Sequence, residues 1–304
     1  VPEPPTVSVV VNTWRGAPWV AEALGSVVAQ TRDDWDCLVF DDGSDDDTAA
    51  VARSVDDPRI RVEVSTGRLG LGAARAAAVA RTTAPWIAFL DQDDLWLPEK
   101  LERQLALAEA PKVSLVYGRA IAFDERGREL AYERHFARRP LPDGDVLPDL
   151  ARVGNFIPMS SSLVRRSALE AVGGVDARLA VAVDYDLWSR LAGAGAVRAV
   201  QDPVMRYRLH DDNMSRRVAL ASHTEALAVL ETMAGRADPA TVARRRRVYH
   251  SLIGYEELRS GQVGAGLRRI FGRGAPLWLA TRPVARTARK LADALAGPPL
   301  GVHR

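Results

Sequence analysis

The 304-residue sequence predicts an α/β protein built on a mostly parallel sheet, followed by a basic helical region. Three observations carry this expectation. Short β-branched runs alternate with amphipathic stretches in units of about 30 residues, the length of a strand–helix–strand repeat. Most of those runs are short and mainly apolar, as in strands of a parallel sheet covered on both faces. Past residue 218 only helical periodicity remains.

In chain order, "TVSVVVNT" (6–13) is a strand with the turn formers Asn12 and Thr13 at its carboxyl end. "APWVAEALGSVVAQT" places Trp19, Ala23, Leu24, Val27 and Val28 on one helical face. "WDCLVFDDGS" (35–44) is a second strand, stopping abruptly at acids and glycine. "DDDTAAVARSV" reads as a capped helix, "RIRVEVS" as a third strand, and "LGAARAAAVARTT" as a helix of small residues. "PWIAFLDQDD" is a fourth strand that again stops at acids. "PEKLERQLALAEA" is a helix with Pro98 in its first turn, and "VSLVYG" another strand. Residues 124–157 are rich in Arg, Pro and Gly and lack periodicity, so mostly loop is expected, with room for a strand or hairpin. "SSSLVRRSALEAVGG" is a strand running into a helix that ends at Gly173–Gly174, and "DYDLWSRLAGAG" is the next helix. "AVRAVQDPVMRYRLH" supplies one or two short strands.

Hydrophobic residues make up 47% and charged residues 26%, ordinary for a soluble globular chain. The single Cys37 excludes an intrachain disulfide framework and a cysteine-built zinc site, which suits a reducing compartment. No stretch approaches the roughly 18 apolar residues of a membrane span, and the start lacks a signal-peptide pattern. A cytoplasmic location is expected. Charge is unevenly spread: residues 241–304 hold 13 Lys and Arg against 3 Asp and Glu, the remainder 28 against 36. The basic end suits peripheral contact with anionic lipid on the inner membrane face, or is a helical face packed on the body or on a second subunit of a homodimer. Nucleic acid is not expected, because the acidic body repels it and no recognition motif is present.

Open parallel sheets bind ligands beyond the carboxyl ends of their strands. That edge carries Asn12 and Thr13, then Asp41 and Asp42, then Asp91, Asp93 and Asp94. Clustered carboxylates repel one another, so a cation should balance them. Mg²⁺ or Mn²⁺ prefers oxygen ligands and commonly bridges carboxylates to substrate phosphates. The sequence has no Walker A loop and no GxGxxG, which makes the usual nucleotide folds poor fits, and "GLGAAR" (70–75) is only a faint glycine loop.

The segments "VSVVVNTW", "LVFDDGSDDDT", "GLGAAR", "IAFLDQDD", "VGGVDARL", "DYDLWSRL" and "YRLHDDNMS" stand in the order and spacing of a known family. Over roughly residues 6–215 the chain resembles a family 2 glycosyltransferase of the GT-A (Rossmann-like) fold. The resemblance implies a catalytic domain over 1–220, with a nucleotide-sugar half to about 120 and an acceptor half beyond, and a helical region over 221–304. It implies a nucleotide-diphosphate sugar donor, a UDP-sugar first, a divalent metal, Mn²⁺ or Mg²⁺, and transfer with inversion to a carbohydrate, lipid-linked or natural-product acceptor. Carried over by residue, Thr13 and Asp41 fall at the base or ribose, with Asp42 beside them. Arg75 falls near the phosphates. Asp91 faces the ribose, Gln92 the donor side, and Asp93 the metal. Asp184 matches the general base, and His210 lies in the segment that closes over the diphosphate, as a metal ligand, a phosphate contact or a structural loop histidine. Asp186 is read as a helix cap or acceptor contact, Trp188 as core, Trp96 as lining the acceptor side, and Asn155 and Ser160, Ser161 and Ser162 as its hydrogen-bonding candidates. Three departures stand out: Ala76 and Arg68 replace the usual Asn residues, and Val183 replaces the Glu before the base.

Two rival classes use similar acids. A nucleotidyltransferase acting on sugar phosphates would carry a Gly-rich basic loop after its first strand, of which "NTWRGAPW" is a poor version. A non-catalytic nucleotide-sugar-binding protein would keep the fold and lose the acids, yet every such position here is filled.

Overall fold

The computed structural model describes residues 3–130, 140–210 and 218–271. Residues 1–2, 131–139, 211–217 (which hold the end of "YRLHDDNMS") and the tail 272–304 lie outside the described residues. The chain divides into two compact units, one of 1–131, 139–146 and 157–210, the other of 132–138, 147–156 and 211–304.

The first unit opens with β1 (Val7–Thr13), α1 (Val20–Val28), β2 (Trp35–Asp41), α2 (Thr48–Arg53), β3 (Ile60–Val64), α3 (Leu71–Val79) and β4 (Trp86–Asp91). It continues through β5 (Leu95–Trp96), α4 (Lys100–Ala108), β6 (Val113–Asp124) and β7 (Glu129–Leu130). After α5 (Leu147–Val153), which belongs to the second unit, it resumes with a 3₁₀ turn at Met159–Ser161. Then come β8 (Leu163–Arg165), α6 (Arg166–Ala171), α7 (Val183–Leu191) and β9 (Ala196–Leu209). Among the described residues these strands form one sheet in the order β3-β2-β1-β4-β8-β6-β9-β5, with β7 on the outside of β6. The pairings among β1 to β4 are parallel. Beyond β4 the sheet is mixed: β8 is antiparallel to both β4 and β6, while β6 and β9 run parallel.

β1 is the centre of this arrangement. Val7, Val9, Val10 and Val11 are each at most 1% exposed, and Val7, Val9 and Val11 pack on Val20, Ala23, Leu24 and Val27 of α1. Burying one such side chain contributes about 1.5–3 kcal/mol, so the carboxyl end of β1 leaves a firmly held strand. Cys37 lies in the same core, where burial pushes its thiol well above the usual range.

Three local expectations are corrected. β6 runs twelve residues to Asp124, well past "VSLVYG", and turns into β7, a hairpin of the kind for which the aperiodic stretch left room. "AVRAVQDPVMRYRL" is one fourteen-residue strand, because its register slips against β6 where Pro203 cannot donate and then resumes. Within 124–157 the segment "LPDLARV" is helical as α5, with Pro148 in its first turn, where no N–H partner is needed.

The described part of the second unit holds α5, α8 (Ala219–Thr232), α9 (Pro239–Arg259) and α10 (Val263–Phe271). Asp238 caps α9 by accepting from the Thr241 amide at 2.8 Å. α9 and α10 approach closely at Gly254 and Gly266, where a Cβ on Gly266 would stand 2.5 Å from the Gly254 carbonyl. Among the described residues no helix is long and apolar enough to cross a membrane.

Candidate active site

Parallel register sets Thr13 beside Asp41 and Asn12 beside Asp91, so three strand ends meet at one edge of the sheet. Asp41 is 1% exposed, and its Oδ1 accepts from the Ser44 amide at 3.1 Å and the Ser44 hydroxyl at 2.5 Å. Asp41 Oδ2, Thr13 Oγ1 and Asn12 Nδ2 are buried with no hydrogen-bond partner among the described residues. Buried polar atoms are seldom left this way, and a ligand hydroxyl or base edge could satisfy them. Two neighbours are committed within the protein instead. Both Asp42 oxygens accept backbone amides, from Leu69 at 2.7 Å and Gly70 at 2.9 Å, and so hold the loop leading into α3. Gln92 accepts from the Trp14 amide at 2.8 Å and donates to the Trp14 carbonyl at 3.3 Å. The Arg68 guanidinium lies 3.3 Å from the centre of the Trp14 ring.

The acidic turn after β4 is balanced in pieces. Arg75, buried on α3, donates to Asp91 Oδ1. His210 Nε2 lies 2.9 Å from Asp93 Oδ2, and its ring stacks on Trp19 with centroids 5.1 Å apart. Asp94 is 1% exposed, with Oδ2 accepting from the Ser160 hydroxyl at 2.6 Å and Oδ1 from the Arg208 amide at 3.1 Å. Burial first, and then the charges of Asp93 and Asp91, push the Asp94 carboxyl well above the usual range. Asp91 keeps 35% of its side chain accessible. Desolvation raises its carboxyl, and the Arg75 guanidinium opposes the rise. Unit charges about 4 Å apart interact by about 4 kcal/mol at an effective dielectric near 20. The Arg75 guanidinium therefore offsets the Asp91 carboxylate, and Asp93, beside His210, is the acid of this turn at which a further cation is favourable. Among the described residues no three His, Cys, Asp or Glu side chains group as a self-sufficient metal cage.

Trp96 and Ser161 are not surface groups, which corrects their acceptor-side expectation. Trp96 is 4% exposed, donates from Nε1 to the Ser160 carbonyl at 2.8 Å and lies under Lys100 Nζ at 4.0 Å. Ser161 is fully buried, its hydroxyl bound to the Pro158 carbonyl at 2.8 Å and its carbonyl to Gln104 Nε2 at 2.7 Å. They form the floor beneath the acids. The functional link there is Ser160, which donates to Asp94 and accepts from the Asp91 amide at 3.0 Å. Lys100 and Gln104 brace the same turn through the Ser162 and Ser161 carbonyls, and burial holds the Lys100 ammonium well below its usual pKa. Asn155 is half-buried in the second unit.

Within "DYD" the two acids differ. Asp184 is half-exposed in the first turn of α7, and its Oδ1 accepts from the Tyr185 amide at 2.7 Å. Asp186 is 9% exposed and pairs with Arg190, whose Nη1 donates to the carbonyls of Val172 at 2.8 Å and Gly174 at 2.7 Å. Asp186 thus latches α7 to the end of α6, which corrects its acceptor reading. The spacing of Asp four residues before Arg on a helix was the available signal. Trp188 is fully buried, with Nε1 donating to the Ile157 carbonyl at 3.0 Å. The loop entering α7 lies against α3, where the Gly72 amide donates to the Leu179 carbonyl at 3.2 Å. A Cβ on Gly72 would stand 2.5 Å from that oxygen and 2.6 Å from the Asp176 carbonyl, so only glycine allows this approach. The helix bearing Arg75 and the segment leading to Asp184 therefore share one boundary.

The sequence profile described as glycosyl transferase family 2 matches residues 8–173, more than half of the chain. The chain belongs to glycosyl transferase family 2. It is a glycosyltransferase with the GT-A fold. Succinoglycan biosynthesis protein ExoO of Rhizobium meliloti is 26% identical over 97% of this chain and 89% of its own length. The Escherichia coli UDP-Glc:alpha-D-GlcNAc-diphosphoundecaprenol beta-1,3-glucosyltransferase WfgD is 32% identical over 37% of this chain and 44% of its own. Among solved structures, the mannosyltransferase PcManGT of Pyrobaculum calidifontis, in complex with GDP-Man and Mn²⁺, superposes with a TM-score of 0.62. It is 19% identical, with 96% of this chain and 85% of that one covered, a likeness of fold.

Proposed function

We propose that this family 2 enzyme moves a sugar, with inversion, from a nucleoside-diphosphate sugar to an acceptor hydroxyl. The observation that carries the reading is one sheet edge bearing the unsatisfied Thr13 and Asp41 oxygens, the Arg75–Asp91 pair and the Asp93–His210 pair. Thr13 and Asp41 take the base and ribose, while Asp42 and Gln92 act on the donor through the loops they hold. Arg75 and Asp91 face the ribose and phosphates. UDP-sugars come first, since WfgD is named for UDP-Glc.

Asp93 and His210 fit Mn²⁺ or Mg²⁺. One carboxylate and one imidazole suffice for an ion that fills its remaining positions with diphosphate oxygens and water. The bound ion would stabilise negative charge on the departing diphosphate. Asp184, its direction fixed by the first turn of α7, removes the proton from the attacking hydroxyl. Residues 1–120 serve the donor and 121–220, with Asn155, the acceptor. The exposed Arg244 and Arg247 of α9 and Arg268 of α10 support contact with anionic headgroups, each worth about 1 kcal/mol, and so an acceptor that is itself lipid-linked. Flotation with anionic and neutral liposomes tests that contact. Equal recovery from both would assign the basic helices to packing or to a homodimer.

Incubation with a panel of sugar nucleotides, Mn²⁺ and glycan or lipid-linked acceptors tests the reaction. Release of nucleoside diphosphate is expected. Pyrophosphate-dependent formation of nucleoside triphosphate would instead favour a nucleotidyltransferase, and binding without turnover a non-catalytic protein.

A further inference from the structure

Arg208 is a buried guanidinium that the reaction above does not use. It is 5% exposed, an unusual place for a charge unless it is fully engaged. β5 and β9 pair antiparallel with Leu95 opposite Arg206, so the following residues of β9 run alongside the acidic turn. Arg208 and His210, two apart at the strand end, then reach the same residue by different routes. Arg208 Nε donates to the main-chain carbonyl of Asp93 at 2.9 Å, and His210 Nε2 meets the Asp93 carboxylate at 2.9 Å. The Arg208 amide also donates to Asp94 Oδ1 at 3.1 Å. On its far side Nη2 donates to Glu22 Oε2 of α1 at 2.6 Å. The guanidinium carbon lies 4.9 Å from the Trp19 ring centre and 4.5 Å from that of Phe123, and Trp19 is also the ring against which His210 stacks.

We infer that Arg208 is a positioning residue for the metal-binding pair, a brace that fixes the Asp93 backbone and, through Trp19, the plane of the His210 ring. The inference rests on the proposed metal role of Asp93 and His210. A planar fork is suited to the task, because Nε serves the Asp93 carbonyl while Nη2 serves Glu22. A lysine keeps the charge but offers one nitrogen, which cannot hold both partners. Loss of such an outer partner typically weakens metal affinity about 10–100-fold.

The test is Mn²⁺ binding in the presence of UDP, read from the electron paramagnetic resonance of free Mn²⁺, on the full chain and on Arg208→Lys, Glu22→Gln and Asp93→Asn. Arg208→Lys is expected to weaken Mn²⁺ at least about tenfold and to lower the melting temperature, with metal-free UDP binding of the folded variant close to that of the parent. Glu22→Gln loosens only the partly exposed end of the brace, so it is expected to fold normally and to weaken Mn²⁺ by a smaller factor. Should Arg208→Lys fail to fold, Glu22→Gln decides alone. Parent-like Mn²⁺ affinity in every folded brace variant, with binding lost in Asp93→Asn, would overturn the brace and leave the metal reading standing. Parent-like affinity in Asp93→Asn would overturn the metal reading, and the brace with it.

Discussion

His210 Nε2 lies 2.9 Å from Asp93 Oδ2, closing the end of β9 onto a turn 117 positions earlier in the chain. Two segments far apart in sequence thus present one hard oxygen and one imidazole at a single point, beside an Asp91 that Arg75 already balances. Asp93→Asn is expected to abolish sugar transfer while leaving the melting temperature nearly unchanged. His210→Gln, which keeps a polar group there, is expected to lower activity at limiting Mn²⁺ and to recover partly at high Mn²⁺. Initial rates across an Mn²⁺ titration check both, and metal-independent rates in Asp93→Asn would contradict the assignment.

The two acids of "DYD" should separate cleanly. Asp184→Asn is expected to lower kcat by about 10²–10⁴-fold with little change in donor affinity, the signature of a group acting in the transition state. Asp186→Asn weakens the latch through Arg190 to the Val172 and Gly174 carbonyls and is expected to cost about 1–3 kcal/mol of stability. Steady-state kinetics and urea unfolding of the two variants compare them directly. A larger kcat defect in Asp186→Asn would reverse the roles.

Gly72 is the contact point of α3 with the loop entering α7. Gly72→Ala must displace two carbonyls, and overpacking of this kind costs about 1–3 kcal/mol. Because the same loop leads to Asp184, kcat is expected to fall further than a control substitution of equal destabilisation elsewhere in the sheet. Thermal melting paired with turnover measures the difference.

How far the sequence shows this site depends on the range of the interactions that build it. β1 to β4 are legible because each is a β-branched or aromatic run ending in turn formers or acids, and parallel pairing then brings those ends together. Asp186 with Arg190 is also legible, as a helical i,i+4 pair. Trp96 and Ser161 mislead, because an aromatic beside acids and a serine in a polar loop look available to ligand. What buries them is a pair of bonds spanning 64 and 57 positions, from Trp96 to Ser160 and from Gln104 to Ser161, with no local signature. Arg208 passes unnoticed for the same reason, since its partners Glu22 and Asp93 lie 186 and 115 positions away. The length of β9 is hidden by Pro203, which normally argues against a continuous strand.

Acid sensitivity has a local source in Asp34, whose carboxyl is held at about 2 chiefly by hydrogen bonding to Arg32. Its folded pKa lies below its ordinary value, so this stabilisation is present above about pH 4 and is lost as pH falls toward 2. Both side chains are partly exposed, and solvent screening limits the effect to about 1 kcal/mol or less. Asp34→Asn is expected to flatten the slope of urea midpoint against pH between 4 and 2. An unchanged slope would assign the acid loss to other carboxylates.

Calorimetric titration of UDP, GDP and dTDP into the full chain, each with Mn²⁺ and again in EDTA, tests the central claim most directly. A metal-held diphosphate over the Thr13–Asp41 edge requires that at least one of the three, UDP first, binds at one site per chain and markedly tighter with Mn²⁺. Saturating concentrations of all three that give no heat with Mn²⁺, or the same affinity with and without the ion, would contradict it.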